Sequence, residues 1–148
     1  MTYKEITDTV MFQTNNDVED KEEFKIALPD YVNAGYGKLC DAFWGMYPTL
    51  EGPLLPLKTD SDKPNLPLYA HRAIADYASY MMYRNGNPIK QNRGLRYLQD
   101  FNEVLSRLRK DSAKIGDKFA GDGSMLTAEQ ALSKPIVLKH KHVFEPLL

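Results

Sequence analysis

Residues 66–84, LPLYAHRAIADYASYMMYR, and residues 89–109, IKQNRGLRYLQDFNEVLSRLR, flank the break Asn85-Gly86-Asn87-Pro88, and their reading decides the fold. Apolar side chains recur at Leu68, Ile74, Tyr77, Ala78, Met81 and Met82 in the first segment, and at Leu95, Leu98, Phe101, Leu105 and Leu108 in the second. That three-and-four spacing belongs to an amphipathic helix, whereas a strand would repeat every second residue. In the break, Gly86 is expected to accept a left-handed turn, while Pro88 biases Asn87 away from helical angles and suits the first turn of the next helix. So short a connection makes the two helices antiparallel neighbours.

Toward the N-terminus a further helical pattern covers Phe24 to Met46, with Phe24, Leu28, Tyr31, Val32, Gly35, Leu39, Ala42, Phe43 and Met46 on or near one face and Tyr47-Pro48 as its stop. Pro29 removes a backbone donor, so either the helix begins close to it or residues 22–28 form a kinked first segment. Gly35 and Gly37 lower helix propensity and permit close approach of another helix. Thr2 and Glu5 have capping-box spacing and open a first helix over residues 3–13, with Tyr3, Ile6 and Val10 as its apolar face. Asn15, Asn16 and Asp17 end it. The run Asp17 to Glu23 is an acidic loop or the charged first turn of helix two, and it lacks the central Gly of a calcium-binding EF-hand loop. Between helices two and three stand Pro53, Pro56, Pro64 and Pro67 around Asp60-Ser61-Asp62, which excludes helix and predicts an extended crossover or a loose hairpin turning near Thr59 to Lys63. The expected fold is all-α, a small four-helix bundle with a Pro-rich crossover between helices two and three. Its expected core contains Tyr31, Leu39, Phe43, Ile74, Tyr77, Met81, Leu98, Phe101 and Leu105.

After Asp111 the helical period fades at Gly116, Gly121 and Gly123. Thr127 and Gln130 repeat the capping-box spacing and predict one or two helical turns over residues 128–133. The chain then reads as an extended tail with apolar anchors at Ile136, Val137, Leu138, Val143, Phe144, Leu147 and Leu148. The expected organisation is a helical domain over residues 1–112 and a partner-binding C-terminal arm over residues 113–148. Strand addition to a partner's sheet edge is one way for such an arm to satisfy its backbone.

A chain of 148 residues, 43% hydrophobic and 26% charged, is long enough for one domain with a real core. No apolar run approaches the roughly 20 residues of a spanning helix, and Met1-Thr2-Tyr3-Lys4-Glu5-Ile6 lacks a signal-peptide core, so no membrane association is expected. The lone Cys40 reads as a small buried side chain suited to a reducing compartment. The net charge of −1 hides a split. Residues 1–67 hold 6 Lys/Arg against 12 Asp/Glu, residues 68–110 hold 8 against 3, and residues 111–148 hold 5 against 5. An acidic front and a basic hairpin are a solvated surface, a pair of complementary faces between copies, or a surface for nucleic acid. The basic residues Arg72, Arg84, Lys90, Arg93, Arg96, Arg107, Arg109 and Lys110 are scattered and form no known nucleic-acid motif.

Catalytic motifs do not emerge. There is no Gly-x-x-x-x-Gly-Lys phosphate loop, no Gly-x-Ser-x-Gly elbow and no His-Glu-x-x-His pair. His140 and His142 alternate on one face of the tail, but neither a Cys nor a third His stands beside them, and His71 is remote in sequence. No metal, no cofactor and no enzymatic activity are expected. Tyr69, Tyr77, Tyr80 and Tyr83 fit helix packing and an interface better than a ladder for stacking bases.

Four stretches together resemble the head-to-tail connector (adaptor) proteins of tailed bacteriophages. They are the helix TYKEITDTVMF at residues 2–12; ALPDYVNAGYGKLCDAF at 27–43, with the apolar-Asp-Tyr-apolar-Asn start of that family; LPLYAHRAIADYASYMMYRNGNP at 66–88, after the Pro-rich crossover; and GLRYLQDFNEVLSRL at 94–108. The likeness spans about residues 2–110. It implies a helical bundle that assembles into an oligomeric ring, usually a dodecamer, in the virion neck beneath the portal, made in the host cytoplasm before assembly. Its implied partners are further copies of itself, the portal protein, and tail or neck proteins, with genome DNA passing through the ring lumen. The acidic Asp17 to Glu23 insert and the length of the tail depart from the pattern. The alternative expectation is a DNA-packaging factor that binds nucleic acid through the basic hairpin.

Overall fold

The computed structural model describes residues 1–14, 21–44, 56–112 and 127–128. The described chain is all-helical: α1 (Tyr3–Thr14), α2 (Lys21–Trp44), α3 (Leu68–Arg84) and α4 (Pro88–Ser112). α3 lies at the centre, with its most extensive interface to α4 and substantial ones to α2 and α1. Small residues make this possible. Ala70, Ala73, Ala75, Ala78 and Ser79 are all buried around the circumference of α3, so three helices approach its backbone at once.

α1 begins as its capping box requires. The Thr2 N–H and hydroxyl both donate to Glu5 Oε1 at 3.1 Å, and the Glu5 N–H donates to Thr2 Oγ1 at 3.2 Å. The crossover supplies acceptors for the N–H groups that the cap leaves over: Tyr3 N–H donates to the Asp62 carbonyl at 2.7 Å and Lys4 N–H to the Asp60 carbonyl at 3.2 Å. Those carbonyls are presented by a turn over Thr59–Asp62. The Asp62 carboxylate closes it, accepting from the Lys58 and Thr59 N–H groups and the Thr59 hydroxyl at 2.7–2.9 Å. The crossover is thus an ordered clip between α1 and α2.

α2 holds the other side of that clip. Asn33 pairs with Leu57 as a strand residue would, donating from Nδ2 to its carbonyl at 3.0 Å and accepting its N–H at 2.8 Å. Tyr36 Oη accepts the Asn65 N–H at 3.0 Å, and Trp44 Nε1 donates to the Asn65 carbonyl at 3.0 Å. Pro29 sits within the helix, which starts eight residues earlier in its acidic first turn with Glu22 and Glu23. Gly35 meets α3 closely: a Cβ there would stand 3.0–3.3 Å from Tyr77 atoms, whereas one at Gly37 would meet nothing.

The α3–α4 hairpin turns by a route other than the left-handed glycine expected from Asn85-Gly86. Asn85 has φ −88° and ψ 4°, and Gly86 does not take a left-handed conformation. Glycine is needed there for space, since a Cβ would lie 2.7 Å from Lys90 Cβ. Asn87 caps α4 by accepting the Lys90 N–H at 3.0 Å, and Gln91 Nε2 reaches back to the Arg84 and Gly86 carbonyls. Past the turn, Gly94 lies under Tyr83, whose ring stacks on Tyr97 at 6.0 Å between centroids. At the far end of the hairpin, the Tyr69 hydroxyl donates to Asp111, and the Arg107 guanidinium lies 3.6 Å above the Tyr69 ring.

Of the residues expected in the core, Leu39, Phe43, Ile74, Tyr77 and Phe101 are buried, and Tyr31, Met81, Leu98 and Leu105 pack against them half-buried. Tyr77 and Phe101 join α3 to α4 with ring centroids 4.9 Å apart, and Phe43 meets Trp44 edge-on at 4.7 Å. Two residues of the expected apolar stripes face solvent instead: Leu68 is 73% and Leu95 is 52% exposed. Leu68 shares its strip of α3 with exposed Arg72, four residues on. Leu95 shares its strip of α4 with exposed Gln99, Asn102 and Ser106. Ala128, assigned above to the arm, is 1% exposed within the core cluster, and its N–H donates to Asn65 Oδ1 at 2.9 Å. The rest of the arm, including Ile136, Val137, Leu138, Val143, Phe144, Leu147 and Leu148, lies outside the described residues, as do Met46 and Tyr47-Pro48.

Two substitutions test this packing by thermal or denaturant unfolding. Phe101→Ala should cost about 3–5 kcal/mol, the expected loss for emptying a buried aromatic site. Gly94→Ala should destabilise even though alanine returns about 1 kcal/mol of helix propensity. Its Cβ would lie 2.7 Å from Tyr83 Cβ, an atom too near the backbone to move away cheaply.

Candidate assembly surface

The polar groups of the interior are spent on holding helices together. Gln13, near the end of α1, donates from Nε2 to Asp76 Oδ1 at 3.0 Å and accepts the Ser79 hydroxyl at 2.5 Å, while its carbonyl accepts the Tyr83 hydroxyl at 3.1 Å. His71 Nδ1 lies 2.8 Å from the Met1 ammonium and its Nε2 2.8 Å from the Leu66 carbonyl. An ammonium only donates and a carbonyl only accepts, so the ring is the neutral tautomer with its hydrogen on Nε2. Ser112 Oγ donates to the Phe43 carbonyl at 2.7 Å, closing the end of α2 against the end of α4. Among the described residues no buried side-chain nitrogen or oxygen lacks a partner.

Burial sets the ionisation of the interior groups. It pushes the Cys40 thiol up to about 12, so this buried sulfur is a poor nucleophile at neutral pH. Burial likewise raises the Asp76 carboxyl above its ordinary range, with nearby Asp100 adding to the shift and the Gln13 hydrogen bond and Arg72 opposing it. Among the described residues no group of three or more His, Cys, Asp or Glu side chains comes together as a metal site, and His140 and His142 lie outside them. Among the same residues no helix is long and apolar enough to cross a membrane.

Among the described residues, a groove of about 490 Å³ lies where α2, α3 and α4 meet. Tyr77 and Tyr80 from α3 and Leu98, Phe101 and Leu105 from α4 form its floor. Its charged rim is Lys38 and Asp41 from α2, Arg84 from α3 and Arg109 from α4. The Lys38 ammonium stands 5.8 Å from the centre of the Tyr77 ring. Over Leu98 and Asn102 the groove continues onto the outer strip of α4, as far as exposed Leu95. The apolar side chains expected in the interior at Tyr77, Leu98, Phe101 and Leu105 therefore serve two surfaces, the core on one side and the groove floor on the other.

On the other flank of α3, α1 buries Ile6 and Val10 and turns Glu5, Asp8, Met11 and Phe12 outward, with Met11 45% and Phe12 86% exposed. α2 exposes Ile26 at 77% among Glu22, Glu23 and Asp30. The charge split is thus also a bias between faces: carboxylates outnumber Lys4 and Lys25 around the exposed apolar residues of α1 and α2, and cations outnumber Asp41 around the groove. Sequence periodicity locates none of this directly. Phe12 lies beyond the Tyr3, Ile6, Val10 stripe, and the groove depends on the angle between three helices.

Asp76→Asn should raise stability at neutral pH. Asparagine keeps an acceptor for Gln13 Nε2 and carries no charge to desolvate. The folded carboxyl holds its proton more tightly than the unfolded one. Its contribution is therefore most favourable below the unfolded carboxylate range and is lost as pH rises through the raised folded value. The stability gap between wild type and Asp76→Asn, followed by urea unfolding, should accordingly shrink on acidification. A variant less stable than wild type at neutral pH would mean that the ionised carboxylate is favoured there.

No protein-family model, curated protein or solved structure matches the chain.

Proposed function

We propose that this chain is a non-enzymatic head-to-tail connector of a tailed bacteriophage, a subunit of an oligomeric ring in the virion neck between portal and tail. The observation that carries the reading is the order of parts: capped short helix, long helix with its Pro-Asp-Tyr-Val-Asn start, Pro-rich crossover, and helical hairpin. Asn33, the last residue of that Pro29–Asn33 start, is the residue that clamps the crossover through Leu57, which gives the motif a physical role in this architecture. An acid-bearing face with exposed Phe12 and Ile26 and a cation-rimmed groove also suit a subunit that contacts its neighbours on two sides. Residues 129–148 are the portal- or neighbour-contacting element of this proposal. Fully extended, they reach on the order of 65 Å beyond Ala128.

A second reading, a nucleic-acid-binding packaging factor, is favoured by the exposure of Arg72, Arg84, Arg93, Arg96, Arg107, Arg109 and Lys110 on α3 and α4. Salt separates the two. A packaging factor should bind duplex DNA with an affinity that falls steeply and log-linearly with salt, whereas a connector should bind its portal and form rings without such DNA affinity.

Truncation after Ala128 tests the proposal while keeping every described core residue. The shortened chain should keep the helical circular dichroism and thermal midpoint of the full chain, yet fail to join complexes with the portal in electron micrographs. Full incorporation of the truncated chain would overturn the role given to the C-terminal segment. Rings of the intact chain should also loosen as salt rises from low to moderate ionic strength, since exposed charges are screened over about 10 Å at 0.1 M.

A further inference from the structure

We infer that the cation-rimmed groove between α2, α3 and α4 is a docking site for α1 of a second copy of this chain, which inserts Phe12 between Tyr80, Leu98 and Leu105. The inference rests on the ring proposed above and specifies the contact that would build it.

Chemistry on the two faces is complementary. The rim of the groove between the three helices carries Lys38, Arg84 and Arg109 against Asp41, and its extension along α4 adds Glu103. The outward face of α1 carries Glu5 and Asp8 against the single cation Lys4, which pairs only loosely with Asp8 at 3.7 Å across exposed surface. Glu5, Asp8 and Phe12 are three and four residues apart, so the two carboxylates and the aromatic ring stand along one side of the helix. Phe12, with Met11 beside it, has the shape of the anchor in helix-in-groove recognition: a large apolar side chain, 86% exposed, on a short amphipathic helix. The groove offers the matching surface, a floor of two tyrosines, two leucines and a phenylalanine.

Topology permits the contact only between copies. α1 packs on α3 through Ile6, Val10 and Gln13, and no residue of α1 lines the groove. The donating face and the accepting groove are therefore separate surfaces of one molecule, and each copy can use both at once. Such a heterologous contact repeats, and it closes into a ring when the rotation between neighbours allows. Charge complementarity of this kind also fixes which face meets which, because groove against groove would oppose cations to cations.

The test uses the full chain with a benzophenone maleimide attached to the thiol of the Asn102→Cys variant. Asn102 is an exposed residue of the groove, and the native Cys40 is buried with a raised pKa and does not compete. Labelled protein is mixed with isotopically heavy unlabelled protein, allowed to form rings, irradiated and mapped by mass spectrometry. The expected adducts join the labelled position of the light chain to the heavy segment Asp8–Thr14. In parallel, Phe12→Ala, which alters a surface residue and should leave the thermal midpoint in place, should weaken self-association about ten-fold or more. Rings whose adducts fall elsewhere on the heavy chain, or that form equally well with Phe12→Ala, would overturn this contact and leave the ring proposal standing. Adducts on residues 136–148 would assign the groove to the C-terminal segment instead and overturn it as well. A chain that forms no ring alone or with a portal would overturn both.

Discussion

Everything in this domain hangs on the enclosure of α3. A helix contacted on three sides cannot present one apolar stripe and one wet face. It needs small residues where backbones approach and a partner for every polar group it takes inside. Ala70, Ala73, Ala75, Ala78 and Ser79 meet the first need. His71, Asp76, Ser79 and Tyr83 meet the second through Leu66, Gln13 and each other's neighbours. Large side chains then fill the spaces between helices, Tyr77 against Gly35 and Phe101, and Tyr83 against Gly94 and Tyr97. Gly35 of α2 and Gly94 of α4 are the counterparts of this arrangement: they cost helix propensity at the two places where an aromatic side chain of α3 needs room.

The crossover follows from the same constraint. Residues 56–67 lie along α2 without forming a helix, and such an irregular segment leaves many backbone groups to satisfy. α2 and α1 answer that demand. Asn33 imitates a strand partner for Leu57, Tyr36 and Trp44 hold both backbone groups of Asn65, and the first turn of α1 consumes the carbonyls of Asp60 and Asp62. Prolines at 56, 64 and 67 reduce the freedom this segment loses on ordering, since they are already restricted in the unfolded chain. The segment that looks least structured in the sequence therefore ties three helices together.

Periodicity and punctuation made the helices legible. Apolar spacing located α2, α3 and α4, Thr2 with Glu5 marked the start of α1, and Asn-Gly-Asn-Pro marked the hairpin. What periodicity could not convey is the number of neighbours a helix has. Alanines read as neutral in a pattern of apolar positions, so the enclosure of α3 by three helices was hidden in the residues that reveal it. Asp76 shows the signal that was there: a lone carboxylate between Ala75 and Tyr77, inside a run of small and aromatic residues, has little water available to it. Leu68 and Leu95 failed in the opposite sense, because a leucine fits a stripe by spacing even when its nearest helical neighbours, Arg72 in one case and Gln99 in the other, face solvent. The groove was illegible for a further reason. It arises from the relative placement of three helices, and its floor is made of residues that any sequence reading assigns to the core.

That double use of the floor bears on how a partner would be held. Tyr77 and Phe101 are fixed by packing inside the bundle before anything docks, so a ligand in the groove would meet a surface whose side-chain freedom has already been lost on folding. The rim is different in kind. Lys38, Arg84 and Arg109 are long, exposed side chains whose charges are open to salt. The core beneath them is apolar, and an exposed surface pair such as Lys4 with Asp8 adds only about 0.3–0.5 kcal/mol to a helix. Ionic strength would therefore act mainly on a partner held at the rim and little on the contacts between helices, so that docking and folding would respond to salt separately.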